Sequence, residues 1–318
     1  MPATANAPVR VLIAEAEHGL YAELLRQQAP ELELCSSDQP AELAEYAASC
    51  PLWLGQPDLL APLLRQGSRP QWLQSTWAGI TPLLAKDLPT DYALTRAVGI
   101  FGQVMAEYVL CHLLAHERQL FAALASQVEQ RWDNRLPRSL AGRKVLIVGT
   151  GDIGLSVAQF LAPFAIELLG IASRPRNLPP FRRVAGLDEL PSLVGEADYL
   201  INLLPDTPAT RDIYDTALFA ACKPSALFIN AGRGVAVVDQ ALVSALEQGQ
   251  LAGAVIDVCR EEPLPVGHPF WDAPRLLLTG HSSAPTDPRL LVQLFVDNLA
   301  RWQAGHALRG QVDFVRGY

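Results

Sequence analysis

The stretch Val145-Leu-Ile-Val-Gly149-Thr-Gly151-Asp-Ile-Gly154 decides how this chain folds. An apolar run ends on Gly149, which permits a tight turn. Gly151 lets the backbone approach a pyrophosphate, and Gly154 lets the next helix pack closely on the strand. Leu155, Val157, Phe160 and Leu161 continue at helical spacing, so strand, turn and helix follow in order. A glycine-rich turn without a ligand would need all of this context by coincidence. The backbone N–H groups that open the helix, at Asp152 and Ile153, are expected to face a phosphate.

Outward from that turn, apolar runs recur at 144–148, 167–172, 199–203, 226–230, 253–257 and 276–279, with helical stretches between them. Such alternation predicts a parallel sheet with helices on both faces. Upstream, Val9 to Glu15, Pro51 to Leu54 and Trp72 to Trp77 form a separate alternating series. From Gly99 to about Ser126, apolar residues including Met105, Val109, Leu113 and Leu114 keep helical spacing. Trp132 to Arg143 reads as a connector. Near the C-terminus Asp287 can cap a helix with Pro288 in its first position, and Leu290, Leu291, Leu294, Leu299 and Trp302 form an apolar stripe. That helix is free to pack back on the first series. The expected fold is therefore α/β, with two doubly wound parallel-sheet (Rossmann-like) domains. Residues 1–98 and 284–318 form a discontinuous substrate-binding domain, and 99–283 form a dinucleotide-binding domain.

Length agrees, because 318 residues exceed what one core usually serves. Half the residues are hydrophobic and 18% are charged, which suits a globular enzyme and not a disordered chain. A net charge of -8 without a dense Lys/Arg cluster leaves no footprint for nucleic acid. The five cysteines are scattered with no CxxC pair, which favours a reducing compartment. Met1 to Pro8 lacks the pattern of a secretory signal, and no apolar run reaches the roughly 20 residues of a membrane span. A cytoplasmic protein without a membrane partner is expected. His112 and His116 lie four apart on a helix, but Leu113 stands where a metalloprotease helix needs Glu, so no metal is expected.

The second strand of a dinucleotide fold usually ends in an acid that holds the ribose hydroxyls of NAD, about 20 residues after the turn. Here the sequence is Ile171-Ala172-Ser173-Arg174-Pro175-Arg176. An acid would repel a 2′-phosphate, whereas Ser173, Arg174 and Arg176 can hold one through charge-assisted hydrogen bonds. The reading is NADP(H) preferred, with NAD(H) possible. The plain alternative is a pair of solvated loop arginines.

Three polar residues follow later strands: Arg233 in Asn230-Ala-Gly-Arg-Gly234, Glu262 in Asp257-Val-Cys-Arg-Glu-Glu-Pro-Leu-Pro265, and His281 in Thr279-Gly-His-Ser-Ser283. Ligands of open α/β sheets sit at the carboxyl ends of the strands, so these loops are candidates for one crevice. Singly, an arginine after a strand is usually solvated or ion-paired, and a glutamate before proline is usually a turn residue. Together with the dinucleotide turn, the motifs resemble the D-isomer-specific 2-hydroxyacid dehydrogenase family over essentially the whole chain. Within it the bacterial A-type glyoxylate/hydroxypyruvate reductases are most similar, through the Ser-Arg cofactor loop, Ile201-Asn-Leu-Leu-Pro-Asp206, and the tail Gly310-Gln-Val-Asp313 with Arg316-Gly-Tyr318.

The resemblance implies that His281 protonates the substrate carbonyl oxygen, that Glu262 hydrogen-bonds the imidazole and favours its charged form, and that Arg233 holds the substrate carboxylate. It implies that backbone amides in Trp77-Ala78-Gly79-Ile80 also grip that carboxylate, and that Asp257 lies by the nicotinamide. Leu204, Pro205, Thr210, Ala231 and Gly232 complete the expected cofactor contacts, and Trp53 is a candidate wall of the substrate pocket. The chain departs from the family pattern at Gly280, where a proline commonly precedes the histidine, and at Ser282 after it. The implied reaction is hydride transfer from NADPH to a small 2-keto acid, giving the D-2-hydroxy acid. A bulkier keto acid, or a non-catalytic dinucleotide-sensing protein, are the alternatives. A homodimer is expected, with Gly99 to Ser126 apolar enough to pack across an interface.

Overall fold

Two compact units divide the chain, Met1–Ile100 with Thr286–Tyr318, and Phe101–Pro285. Both cuts fall two residues beyond the expected edges at 98 and 283. The structure, a computed structural model, describes residues 8–317. The reading of the N-terminal segment up to Ala7, and Tyr318 of the tail motif, lie outside those residues.

The first unit runs β1 (Arg10–Ala14), α1 (His18–Gln28), β2 (Glu33–Ser37), α2 (Pro40–Ala47), β3 (Leu52–Gly55), α3 (Pro57–Arg65), β4 (Trp72–Ser75) and β5 (Ala93–Thr95). The strands pair in parallel in the order β2-β1-β3-β4-β5. Every residue of β3 and β4 is buried, as expected for strands covered on both faces. Sequence patterning predicts only β1, β3 and β4. It misses β2, Glu33-Leu-Cys-Ser-Ser37, which is half polar, and β5, which has three residues. Trp53 is a correction. It sits in the central strand β3 with no solvent exposure, packed in the unit's core, and its Nε1 donates to the Cys50 carbonyl at 2.9 Å. It packs the core and lines no pocket wall.

The second unit opens with α4 (Gly102–Glu117) and α5 (Leu120–Val128). The single helical stretch expected from Gly99 to Ser126 is broken at Gln119, whose φ of 54° turns the chain without a glycine or proline to mark it. The connector, 131–139, has no regular structure. Then come β6 (Lys144–Val148), α6 (Asp152–Leu161), β7 (Glu167–Ile171), β8 (Arg183–Ala185), α7 (Leu190–Val194), β9 (Tyr199–Asn202), α8 (Thr216–Ala220), β10 (Leu227–Asn230), α9 (Asp239–Glu247), β11 (Gly253–Ile256) and β12 (Leu276–Leu278). All pairings are parallel, in the order β12-β11-β10-β9-β6-β7-β8. The order reverses direction at β6, so the crevice for a ligand opens beside the turn that follows it. β8 is a seventh strand, too short to register as a sequence pattern. Val145, Leu146, Ile147 and Val148 are fully buried at the centre.

The chain returns to the first unit through α10 (Pro288–Gln303). Asp287 Oδ1 accepts the Arg289 N–H at 2.8 Å, satisfying one of the helix's opening donors. Leu291, Leu294 and Leu299 are buried, and Phe295 stacks on Trp72 with ring centroids 4.9 Å apart. Leu290 faces solvent and is not part of the apolar stripe. Among the described residues no helix is long and apolar enough to cross a membrane.

Candidate active site

The turn after β6 is built as its glycines require. Gly149 has φ 106°, and a β-carbon there would come within 2.8 Å of the Leu203 backbone. A β-carbon at Gly154 would lie 2.1 Å from the Gly149 carbonyl oxygen, so α6 can approach β6 only over a glycine. Gly151, by contrast, faces open space, with nothing within 4 Å of where its β-carbon would stand. The N-cap of α6 is Gly151, which has no side chain to cap the helix. An open cradle at a helix N-terminus whose N-cap is glycine fits a phosphate-bearing dinucleotide.

The loop after β7 separates its polar residues into two groups. Ser173, Arg174 and Arg176 are all exposed. Arg176 also reaches back to the glycine turn, where its Nη2 donates to the Thr150 carbonyl at 2.6 Å and meets Thr150 Oγ1 at 3.1 Å. Both arginines are exposed, and the bonds to Thr150 set Arg176 apart as the one that splints the turn.

Loops at the carboxyl ends of β9 and β10 are knitted by two fully buried asparagines. Asn202 Nδ2 donates to Asn230 Oδ1 at 2.8 Å, and Asn230 Nδ2 donates to the Arg233 carbonyl at 3.3 Å. A β-carbon on Gly232 would press within 2.9 Å of the Leu204 backbone, which fixes Leu204 and Ala231–Gly232 side by side. Pro205 is exposed beside them. Thr210 lies in the loop that follows β9. Buried, it donates to the Pro205 carbonyl at 2.6 Å and holds its own loop closed.

Glu262 and His281 do meet. His281 Nδ1 lies 2.7 Å from Glu262 Oε2, while Glu262 Oε1 accepts the Cys259 N–H at 2.8 Å. Both side chains are exposed enough to reach a substrate. The His281 backbone N–H donates to the Asp257 carbonyl at 2.8 Å, and the Asp257 carboxylate, itself buried, accepts from Thr279 Oγ1, Ser282 N and Ser283 N at 2.7, 2.9 and 3.1 Å. Asp257 thus anchors the loop that carries His281, a task its motif does not announce. Tyr108 on α4 joins through a 2.9 Å contact with Thr279 Oγ1. Because the Thr279 proton goes to Asp257, the Tyr108 hydroxyl is the donor.

Arg233 stands at the end of β10, half-buried, with Nη1 donating to the Gly232 carbonyl at 2.5 Å. On the first unit, Trp77-Ala78-Gly79-Ile80 follows β4. Its start is held by Ser75, whose Oγ accepts the Trp77 N–H at 3.0 Å, and Ala78 and Gly79 are half-buried. Next to it Thr76 Oγ1 hydrogen-bonds the buried carboxylate of Glu15, whose pKa burial pushes upward. His112 and His116 pack edge-on against Tyr108 and Tyr199, and burial holds both rings below the usual histidine range. Among the described residues no group of three or more His, Cys, Asp or Glu is placed to hold a metal ion.

A glycine turn where the strand order reverses, with an arginine and a histidine–carboxylate pair at neighbouring strand ends, is the arrangement of a nicotinamide-dependent dehydrogenase. Comparison with known proteins agrees and sharpens the class. The family model described as D-isomer specific 2-hydroxyacid dehydrogenase, NAD binding domain, matches residues 110–283. The glyoxylate/hydroxypyruvate reductase A of Serratia proteamaculans is 35% identical over 76% of this chain and 79% of its own. A D-isomer specific 2-hydroxyacid dehydrogenase family protein from Aeromonas salmonicida superposes with a TM-score of 0.91 at 34% identity, covering 96% of this chain and 99% of that one. An NADPH-dependent glyoxylate/hydroxypyruvate reductase from Sinorhizobium meliloti, solved with NADP and sulfate, gives 0.85 at 30% identity, covering 98% and 100%. The chain belongs to the D-isomer specific 2-hydroxyacid dehydrogenase family.

Proposed function

We propose that this protein reduces a small 2-keto acid of the glyoxylate or hydroxypyruvate type to the D-2-hydroxy acid, with NADPH as the preferred reductant. The observation that carries the reading is the 2.7 Å contact between His281 Nδ1 and Glu262 Oε2 on the sheet that also bears the dinucleotide turn. With Nδ1 turned to the carboxylate, Nε2 is the ring nitrogen left to give a proton to the carbonyl oxygen. Glu262 orients the ring and balances its charge. Arg233 binds the substrate carboxylate through its planar donor fork and polarises the carbonyl. The reduced nicotinamide, when bound, supplies the hydride.

The turn at Gly149 to Gly154 would hold the pyrophosphate, with Asp152 and Ile153 offering backbone N–H groups. Leu204, Pro205, Ala231 and Gly232 would border the nicotinamide half. Asp257 uses three acceptor sites on its loop, and a carboxylate has about four, so one is left for the carboxamide. Ser173 and Arg174 would receive the 2′-phosphate, with Arg176 steadying the turn beneath. The relatives named above include a reductase solved with NADP, which supports the same preference.

A homodimer is part of the reading. Leu120, Phe121, Leu124, Val128, Trp132 and Leu136 are exposed on α5 and the connector, an apolar surface suited to a second copy. The scattered cysteines favour the cytoplasm as its setting.

A panel of 2-keto acids, assayed with NADPH and with NADH, tests the proposal. Rapid oxidation of NADPH by glyoxylate or hydroxypyruvate is the expected result. A clear preference for NADH would overturn the cofactor reading, and inactivity with every keto acid would overturn the reaction.

A further inference from the structure

The loop that carries Glu262 is tied to the turn that carries Arg233 by a residue that neither motif nor reaction assigns, Arg260. A β-carbon on Gly234 would fall 2.0 Å from the Cys259 carbonyl carbon and 2.4 Å from the Arg260 nitrogen. The two backbones therefore run in contact one residue beyond Arg233 and three before Glu262. Across that contact Arg260 folds back over the 234–237 turn. Its Nε donates to the Val237 carbonyl at 2.8 Å and its Nη2 to the Val235 carbonyl at 3.2 Å, with a further Nη2 bond to Val237. The same Nη2 pairs with the Asp212 carboxylate, and the Asp212 N–H donates to the Val235 carbonyl at 3.0 Å.

The clamp continues through Asp239 at the start of α9. Asp239 Oδ1 stands 3.6 Å from Arg260 Nε, and its Oδ2 stands 3.3 Å from His268 Nε2. His268 Nδ1 accepts the Phe270 N–H at 3.2 Å, so its other nitrogen carries the proton toward Asp239. One carboxylate thus fastens both ends of the segment 260–268 in which Glu262 sits. Burial pushes the Asp239 carboxyl up, and the Arg260 guanidinium and the His268 ring draw it part of the way back.

We propose that Arg260 is a positioning residue for the reaction, setting the Glu262–His281 pair and the Arg233 guanidinium in register with each other. Its guanidinium is spent on the Val235 and Val237 carbonyls and on Asp212, so it acts through its neighbours. A displacement of about 1 Å at reacting groups can cost about a hundredfold in rate, so a clamp between the two loops has leverage on turnover. The proposal rests on the reading that Arg233, Glu262 and His281 do the chemistry.

The test compares Arg260→Met, Arg260→Lys, Arg260→Ala and His281→Ala in the full chain. Arg260→Met is expected to lower kcat about tenfold or more and raise the keto-acid KM several-fold, with the NADPH dissociation constant within about twofold of wild type. Arg260→Lys should recover part of the loss, and millimolar guanidinium should restore turnover to Arg260→Ala in a saturable way. Asp212→Asn, an exposed and mild change, should shift kcat and KM in the same direction by less. If Arg260→Met does not fold, the Lys and Asn variants carry the test, and wild-type constants in both would overturn the proposal. So would wild-type constants in Arg260→Met, or a loss matched by equal losses in melting temperature and NADPH binding with no rescue. If His281→Ala keeps its turnover, the site reading fails and this proposal with it. An inactive His281→Ala beside a fully active Arg260→Met overturns this proposal alone.

Discussion

His281 holds Nδ1 2.7 Å from Glu262 Oε2 while its own backbone stands at φ 52°, in the left-handed region. That region costs a non-glycine residue roughly 1–2 kcal/mol. The loop offsets it with the bond from the His281 N–H to the Asp257 carbonyl and with two amide bonds to the Asp257 carboxylate. The imidazole is thereby aimed from two sides, by its carboxylate partner and by a buried acid beneath its backbone. The loop is held in this way with Gly280, the residue before the histidine, adding no restraint of its own.

Removing the ring should remove the proton donor and little else. His281→Ala is expected to lower kcat by about 100- to 10,000-fold, the usual weight of a general acid. NADPH binding, followed by fluorescence titration, should stay near wild type because none of the turn residues is touched. Turnover within a few-fold of wild type would sink the assignment.

The two loop arginines should behave differently. Arg174 is exposed, so Arg174→Ala should raise the KM for NADPH by about 10- to 100-fold, the worth of a charge-assisted bond, and leave the KM for NADH nearly unchanged. Arg176 splints Thr150, so Arg176→Ala should weaken both cofactors together. Equal effects of Arg174→Ala on the two cofactors would reject the 2′-phosphate reading.

The glycine turn was legible because sterics leave so little choice. Only glycine fits Gly149 and Gly154, and the strand and helix around them follow from apolar spacing. The edges were less legible. β8 has three residues, β2 is half polar, and Gln119 breaks a helix with no glycine or proline, so none leaves a periodic signal. Trp53 was misread because a bulky aromatic in a short apolar strand looks alike in a core and in a pocket wall. The supports of the site were illegible for another reason. Asp239 with His268, Arg260 with Val235, and Tyr108 with Thr279 lie 25 to 171 residues apart, and only the folded sheet brings them together.

Cys259 neighbours the Glu262 loop, yet it should resist alkylation. Burial pushes its thiol up to about 11, and the carboxylates of Glu262, Asp239 and Asp257 add to the shift. The thiolate is the nucleophile, so the reactive form grows in only as pH rises toward 11. At pH 8 it is about 0.1% of the total. Peptide mass spectrometry after brief iodoacetamide treatment at pH 8 should find the exposed Cys111 modified well before Cys259. Faster labelling of Cys259 would show that the loop opens and exposes the thiol.

Glu117, with only 3% of its side chain exposed, joins α4 to the connector and the sheet. It lies 3.0 Å from Arg138 Nε and 2.9 Å from Arg143 Nε, and accepts the Tyr199 hydroxyl at 2.5 Å. Glu117→Leu would leave the buried Tyr199 hydroxyl without its acceptor and both arginines without their carboxylate. Breaking a fully buried pair costs about 3–5 kcal/mol. Here the arginines are 42% and 29% exposed, so water can take up part of their charge. A loss of about 2–3 kcal/mol is therefore expected in urea melts. Tyr199→Phe removes one neutral donor and leaves the ion pairs intact, so it should cost only about 1 kcal/mol. If Glu117→Leu melts like wild type, apolar packing can replace the pair, and the cluster does not set the stability of the second unit.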